Sequence, residues 1–427
     1  MQHRPGPEPP SAIRPDRSGV TRNRLAERRR AIVTWSAGFL SIAAAAALAV
    51  LVSIPFGIVA VTTIGLAVLW AFVAHRWMLN PGGFPVLTWH SVSDDPAWLP
   101  WATETSVTPQ TLDRQLTSLR AIGCKVLDTD EFVRLRVAGQ TIPPETVVLH
   151  FDDGYLDNWV AAAPILERHG VRATLFVSLD FVAPDGPVRP TLNDREEVTW
   201  QGYLNWREIE ALDAGAFSGA FTIEAHGVAH GRVPISDRIV DRLSESNWRS
   251  LAWMQWAETP GDKSHWYEWP APPAIPIGSP VPESGGALAA RAFQDGKREA
   301  EAAFRARVRR DLTACVDAFI THLGRAPRIF CWPQNLTAPD AHRLALELGY
   351  EATTGGGGAN RPGEDPRIIS RLHVGERVLG LRCPWADDLF FRASIRAFRG
   401  NYYWYLPILA MSSFRRIVRA VQRGRAR

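Results

Sequence analysis

Two pairs of side chains in this sequence have types and spacings that can do chemistry. Asp152 and Asp153 stand side by side in VVLHFDDGYLDN, directly after a run of apolar residues, with Gly154 behind them. A turn needs one such acid at most, so the second carboxylate is available for work. His226 and His230 stand four residues apart in TIEAHGVAHGR. On one helical turn or a tight loop, two imidazoles at that spacing can bind a divalent ion. A carboxylate completes the set and positions stay open for water. An ion held this way brings the pKa of its water down to about 7, and a nearby carboxylate can remove the proton. Two neighbouring acids then take different roles, because the metal keeps one ionised while the other stays free. The chemistry on offer is metal-assisted hydrolysis.

Such residues need elements that bring them together, and the middle of the chain alternates strand with helix. FPVLTWHSVSDDP is strand-like. TPQTLDRQLTSLRAIG predicts a helix with Thr108 as cap, Pro109 in the first turn and Gly123 as stop. ETVVLHF, VRATLFVS, FTIEAH and PRIFCWP read as buried strands. NWVAAAPILERHG reads as a helix with its stop glycine, and PDAHRLALELGYEATT as a helix running into a strand. This alternation predicts an α/β fold with a parallel sheet or barrel, whose working residues sit at strand C-terminal ends. Asp152, Asp153 and His226 each follow such a strand, and Gly154 lets the backbone turn sharply there.

The ends of the chain carry a different signal. Residues 1–30 are rich in Pro and Arg and read as a disordered basic tail. Ala31 to Ala74 contains no charged residue and would be about 66 Å long as one helix, twice the ~30 Å of a bilayer core. Pro55 and Gly57 interrupt it, so the expectation is two transmembrane helices over 31–76 joined by a tight SIPFG turn. Arg28, Arg29 and Arg30 before the first span, with His75 and Arg76 after the second, place both flanks in the cytoplasm. Residues 395–427 form a basic, amphipathic, membrane-associated segment. Phe414, Ile417, Val418 and Val421 fall on one helical face, and Arg415, Arg416, Arg419 and Arg423 lie off it.

Composition excludes some classes. The net charge of +4 over 427 residues does not indicate a nucleic-acid partner, and the four cysteines, in no CxxC spacing, indicate neither a zinc ribbon nor a disulfide scaffold. TTGGGGAN lacks the Lys and Ser/Thr of a phosphate loop. Between the His pair and FCWPQN lie about a hundred residues, long for a loop. At about 232–295 this insert carries Trp248, Trp253, Trp256, Trp266 and Trp269 and a Pro-rich run. Its tryptophans suit sugar stacking, a lipid headgroup level, or a small core of their own.

Over roughly Phe84 to Cys383 the chain resembles the polysaccharide deacetylase family, the NodB-homology carbohydrate esterases, and within it the poly-N-acetylglucosamine deacetylase-like branch. HFDDG is similar to the family's Thr-Phe-Asp-Asp-Gly, with His150 in place of Thr. HGVAH is similar to His-Ser/Thr-x-x-His, with Gly227 in place of the hydroxyl residue. FCWPQN, Phe330 to Asn335, stands where the branch has FAYPYG. VLTWHSVSDDP, LDRQLTSLRAIGCKVLDTDEF and LALELGYEATTGGGGANRP also resemble that branch. The resemblance implies a distorted (β/α) barrel, here preceded by the transmembrane hairpin, with a catalytic domain over 84–385. It implies Asp152 as general base and Asp153, His226 and His230 as metal ligands. The backbone N–H of Gln334 would meet the oxyanion, since Pro333 has none. His373 in ISRLHVG is the candidate general acid, although relatives carry Leu-x-His there. Arg371 could orient Asp152, and His90 could line the site. Gln334 replaces an aromatic residue of the family's sugar pocket.

These readings lead to one expectation: a metal-dependent hydrolase that removes an N-acetyl group from a lipid-linked or membrane-proximal amino sugar. Its cofactor is a divalent metal, zinc first, with cobalt, nickel or iron as options. Its partners are an amino-sugar glycan or glycolipid and membrane lipids. It sits at the bacterial cytoplasmic membrane with the catalytic domain on the cytoplasmic face. The alternatives are a single-span deacetylase of an exported polysaccharide and a catalytically silent glycan-binding assembly factor.

Overall fold

Eight short parallel strands frame the molecule: β1 (Val86–Trp89), β2 (Thr146–Phe151), β3 (Ala173–Val177), β4 (Phe221–Ala225), β5 (Ile329–Phe330), β6 (Ala352–Thr354), β7 (Ile368–Ile369) and β8 (Leu372–His373). The computed structural model describes residues 19–52, 54–78, 82–401 and 404–425. Strands β1 to β7 pair in chain order, each with the next, and β8 returns to pair with β1. Only Ser370 and Arg371 separate β7 from β8, so one extended segment leaves one edge of the row and joins the other. A distorted (β/α) barrel results, with no helix between β6 and β7.

The strands are near-continuous apolar runs because both of their faces are covered. Val86, Val148, Phe176, Ile329, Ala352 and Ile369 pack inside the ring with Phe132 and Val133 of the helix Thr129–Val137. The alternate residues, among them Leu87, Leu149, Phe151, Leu175, Ile223 and Phe330, pack against the outer helices. His150 belongs to the inner set by alternation. Its Nε2 lies 3.2 Å from Thr129 Oγ1, and burial takes its pKa down to about 3. The histidine standing at the family's Thr is therefore a neutral interior group below the site. The helix Pro109–Ala121 starts as expected, with Thr108 Oγ1 accepting from the Thr111 N–H, and His169 is followed by Gly170 at φ +63°.

Between β4 and β5 the chain builds a cap over the barrel mouth. Arg232–Arg242 pairs antiparallel with Pro280–Gly286, and a short helix, Trp253–Glu258, lies between them. Trp248, Trp253, Trp256 and Trp266 are buried with Tyr155, Phe181 and Tyr203 of the barrel loops, so the tryptophans form a core shared with the barrel. Trp266 is completely buried, lies parallel to Trp101 at 5.6 Å, and donates from Nε1 to Tyr203 Oη at 2.9 Å. Trp266→Ala is expected to cost about 3–5 kcal/mol. Hydrogen exchange would show the loss as loosened protection across the cap, and unchanged protection would refute the shared core.

The termini depart from the sequence expectations. Residues 1–18 of the expected disordered tail lie outside the described residues, but the helix begins at Gly19, within that tail, and runs to Leu51. Phe56–Met78 follows after a break at Pro55 and packs back, with Trp70 so close to Gly38 that any Cβ there would overlap its ring. Among the described residues no helix is long and apolar enough to cross a membrane, so the expected pair of spans is not supported. The first helix carries five arginines in its N-terminal half, ahead of the uncharged run, and the break at Pro55 separates it from the second helix. Large apolar side chains such as Phe39, Leu48, Leu51, Phe56 and Val61 nonetheless face outward. At the other end the helix Tyr405–Arg425 docks on Pro384–Phe398 through buried Met411, and Val418 lies against Gly380. The expected amphipathic face is thus divided: Phe414 and Ile417 are exposed, Val418 is packed, and the side chains of Val421, Arg419 and Arg423 lie outside the described residues.

Candidate active site

The site is built by loops at the C-terminal ends of β1, β2, β4, β5 and β8, where a parallel barrel presents its side chains. Three of these loops hold a non-glycine residue in the left-handed region: Asp153 at φ +77°, His230 at +47° and Gln334 at +59°. Each costs of order 1–3 kcal/mol, and strain of this kind gathers where geometry serves function. Gly154 continues the turn at φ +70°, where a Cβ would come within 3.1 Å of Val177. Gly227 sits at φ +81° with a Cβ position 3.2 Å from Asp311 Oδ1, which accounts for glycine at the family's hydroxyl position. Asp311 accepts from the Val228 N–H and braces the loop between the two histidines.

Asp153, His226 and His230 point ligand atoms at one place. His226 Nε2 is 3.2 Å and His230 Nε2 is 3.6 Å from Asp153 Oδ1. His226 Nδ1 donates to the backbone carbonyl of Cys331 at 2.9 Å, which orients the ring and presents Nε2 toward Asp153 as the atom a metal would take in place of a proton. Two imidazoles and a carboxylate, with open positions toward a cavity, fit a divalent ion. Asp152, His226 and Cys331 also come within ligand distance of one another. That second set is the poorer one, because all three residues are buried and Arg371 Nη1 already donates to both Asp152 oxygens, at 2.7 and 2.8 Å. A cation in that place opposes a second one.

The electrostatics separate the two acids further. Burial by itself would raise the pKa of Asp152, but Arg371, with His226 and His90 nearby, holds it well below the usual carboxylate range. Burial also acts to raise Asp153, and the hydrogen bond from His226 and the charges of His230 and His90 reverse it. Arg371 Nε donates to Asn335 Oδ1 at 3.1 Å, tying the link between β7 and β8 to the FCWPQN turn. Both acids are therefore carboxylates at neutral pH, one braced by a guanidinium and the other facing imidazoles.

Around them lies a cavity of about 310 Å³. The sequence candidates Asp152, Asp153, His226, His230, Gln334 and His373 all line it. The Gln334 N–H has no protein acceptor among the described residues, as an oxyanion donor requires. His373 stacks on His90 at 5.6 Å. Burial of its ring, then Arg371 and His90, lower its pKa to about 4. His90 Nε2 is 3.8 Å from Asp152 Oδ2. The aromatic wall missing at Gln334 comes from elsewhere: Trp101, from the loop after β1, and Trp253 and Trp256, from the cap. Arg232 also reaches this wall, and no local sequence signal points to it.

The family model for polysaccharide deacetylases matches residues 139–271. The poly-beta-1,6-N-acetyl-D-glucosamine N-deacetylase of Escherichia coli (strain K12) is 22% identical over 294 residues, 67% of this chain and 36% of that protein. The chain thus covers well under two thirds of that relative's length. A de-N-acetylase structure from Aggregatibacter actinomycetemcomitans is 20% identical with a TM-score of 0.46, covering 68% of this chain and 94% of that one. The BpsB deacetylase domain from Bordetella bronchiseptica is 19% identical with a TM-score of 0.47, covering 70% and 97%. The matched residues contain Asp152, Asp153, His226 and His230 in the arrangement described, so over 139–271 the chain is similar to a polysaccharide deacetylase domain.

Proposed function

We propose that this protein is a metal-dependent N-deacetylase of an amino sugar, and that its substrate is lipid-linked or lies close to a membrane. The observation that carries the reading is the meeting of Asp153, His226 and His230 beside a buried, guanidinium-braced Asp152 in one cavity. A divalent ion held by those three ligands, zinc first and cobalt, nickel or iron as options, would supply Lewis acidity toward water and the amide carbonyl. Asp152 takes the proton from the attacking water, whose oxygen bonds to the acetyl carbon. Arg371 keeps that carboxylate ionised and aimed. The Gln334 N–H donates to the developing oxyanion. The carbon–nitrogen bond then breaks, the amine takes up the proton that Asp152 removed from the water, with the neutral His373 ring on the cavity wall as the candidate relay, and acetate and a free amino sugar leave. Trp101, Trp253 and Trp256 offer ring faces for the sugar.

Membrane proximity is supported by the outward apolar side chains of the N-terminal helix pair and by exposed Phe414, Ile417, Leu381 and Trp385 at the other end. The location proposed is the bacterial cytoplasmic membrane with the catalytic domain on its cytoplasmic face. The name of the Escherichia coli relative favours a second reading, in which the substrate is an exported poly-β-1,6-N-acetyl-D-glucosamine. Incubation with an isoprenyl-linked N-acetylglucosamine and with a soluble β-1,6 N-acetylglucosamine oligomer separates the two. Acetate release and the loss of one acetyl mass from the lipid-linked sugar, at the faster rate, is the expected result. Equal or faster turnover of the oligomer defeats the lipid-linked reading, and no acetate from either defeats the deacetylase.

A further inference from the structure

The cavity holds one more cation than its chemistry uses. Arg371 is matched by Asp152, and Asp153 faces His226 and His230, but among the described residues no carboxylate pairs with Arg232. Its contacts are all to neutral acceptors. Nε donates to Ser284 Oγ at 3.0 Å, Nη2 to the Ser284 carbonyl at 2.8 Å, and Nη1 to Gln334 Oε1 at 3.0 Å. These contacts use three of the five guanidinium N–H groups and leave two. The side chain is half-buried, so its charge has lost part of its water without gaining an anion. It stands two residues after His230, within about 7 Å of backbone, and lines the same cavity.

A neutral acetamido sugar needs no such charge, and a guanidinium with free donors matches phosphate geometry well. Resting on the deacetylase reading, we propose that Arg232 recognises a phosphoester on the amino-sugar substrate. The bland role for this arginine is a staple: its bonds already tie the two cap strands to the Gln334 turn. The two roles differ in what they do to preference. A staple affects every sugar alike, whereas an anion site acts only on the charged one.

Binding to the full chain, read by tryptophan fluorescence from the cavity wall and by calorimetry, tests this without turnover. The probes are N-acetylglucosamine, N-acetylglucosamine 1-phosphate, and that phosphate esterified with a short isoprenyl chain. The 1-phosphate is expected to bind at least about tenfold tighter than the neutral sugar. In Arg232→Gln the ratio should fall to within about twofold, and Arg232→Lys should keep part of it. Arg238→Gln, which alters an exposed partner of Glu283 on the same strand, should leave the ratio as it was. Tighter binding of the isoprenyl ester identifies a lipid carrier as the source of the phosphate, and equal binding identifies a soluble sugar phosphate; both support the site. Equal affinity for neutral and charged sugar overturns it, as does a loss in Arg232→Gln shared equally by both. If no probe yields acetate, the deacetylase reading fails while a phosphate preference still stands.

Discussion

Asp152→Asn is expected to keep its divalent ion and to release acetate about 10²- to 10⁴-fold more slowly, the usual contribution of a positioned general base. The amide preserves the shape of the carboxylate but cannot take the proton from water. A structural consequence accompanies the kinetic one. Arg371 gives both Asp152 oxygens a hydrogen bond, and its side chain is fully buried. Removing the anion leaves a buried, uncompensated guanidinium, an effect of about 3–5 kcal/mol. The variant should therefore melt at a lower temperature while its metal content, by elemental analysis, stays near one ion per chain. Turnover at the wild-type rate would remove Asp152 from the mechanism. Loss of the ion together with activity would instead point to Asp152, His226 and Cys331 as the ligand set.

The second large effect is expected at the ligands. His226→Ala should abolish ion binding and bring acetate release to background. Its Nε2 faces Asp153, and its Nδ1 is anchored by the Cys331 carbonyl, so no neighbouring group replaces it. Chelation should inactivate the wild type reversibly, with activity returning when zinc is added, whereas the variant should not recover. A readout independent of activity follows from linkage. An ion that binds only the folded chain stabilises it by about 2.7 kcal/mol when present at a hundred times its dissociation constant. Added zinc should thus raise the melting temperature of the wild type and leave that of His226→Ala in place. A variant still stabilised by zinc would show that the ion binds elsewhere.

Much of the frame is legible in the sequence because strands and helices announce themselves locally. ETVVLHF and FTIEAH are apolar runs of strand length, and Thr108, Pro109 and Gly123 punctuate a helix. A barrel closed by two-residue strands is less legible. Ile368–Ile369 and Leu372–His373 are too short to show a period and are strands only because β6 and β1 offer them partners. The terminal hairpin is a different case, an expectation that the described residues do not support. Long uncharged runs predicted two spans, while the helix that forms begins in the arginine-rich segment before them.

The sequence alone determined which residues could do chemistry and which strand ends carry them, because Asp152–Asp153 and His226–His230 are contiguous or one turn apart, and short-range spacing survives folding. Tertiary structure decided everything that depends on distant loops meeting. Arg371 reaches Asp152 from 219 residues away, the Cys331 carbonyl orients His226 from 105 away, and Arg232 and the cap tryptophans join the cavity wall from the insert. No local period encodes such meetings. They arise because a parallel barrel gathers the C-terminal ends of all its strands on one face, whatever their separation along the chain.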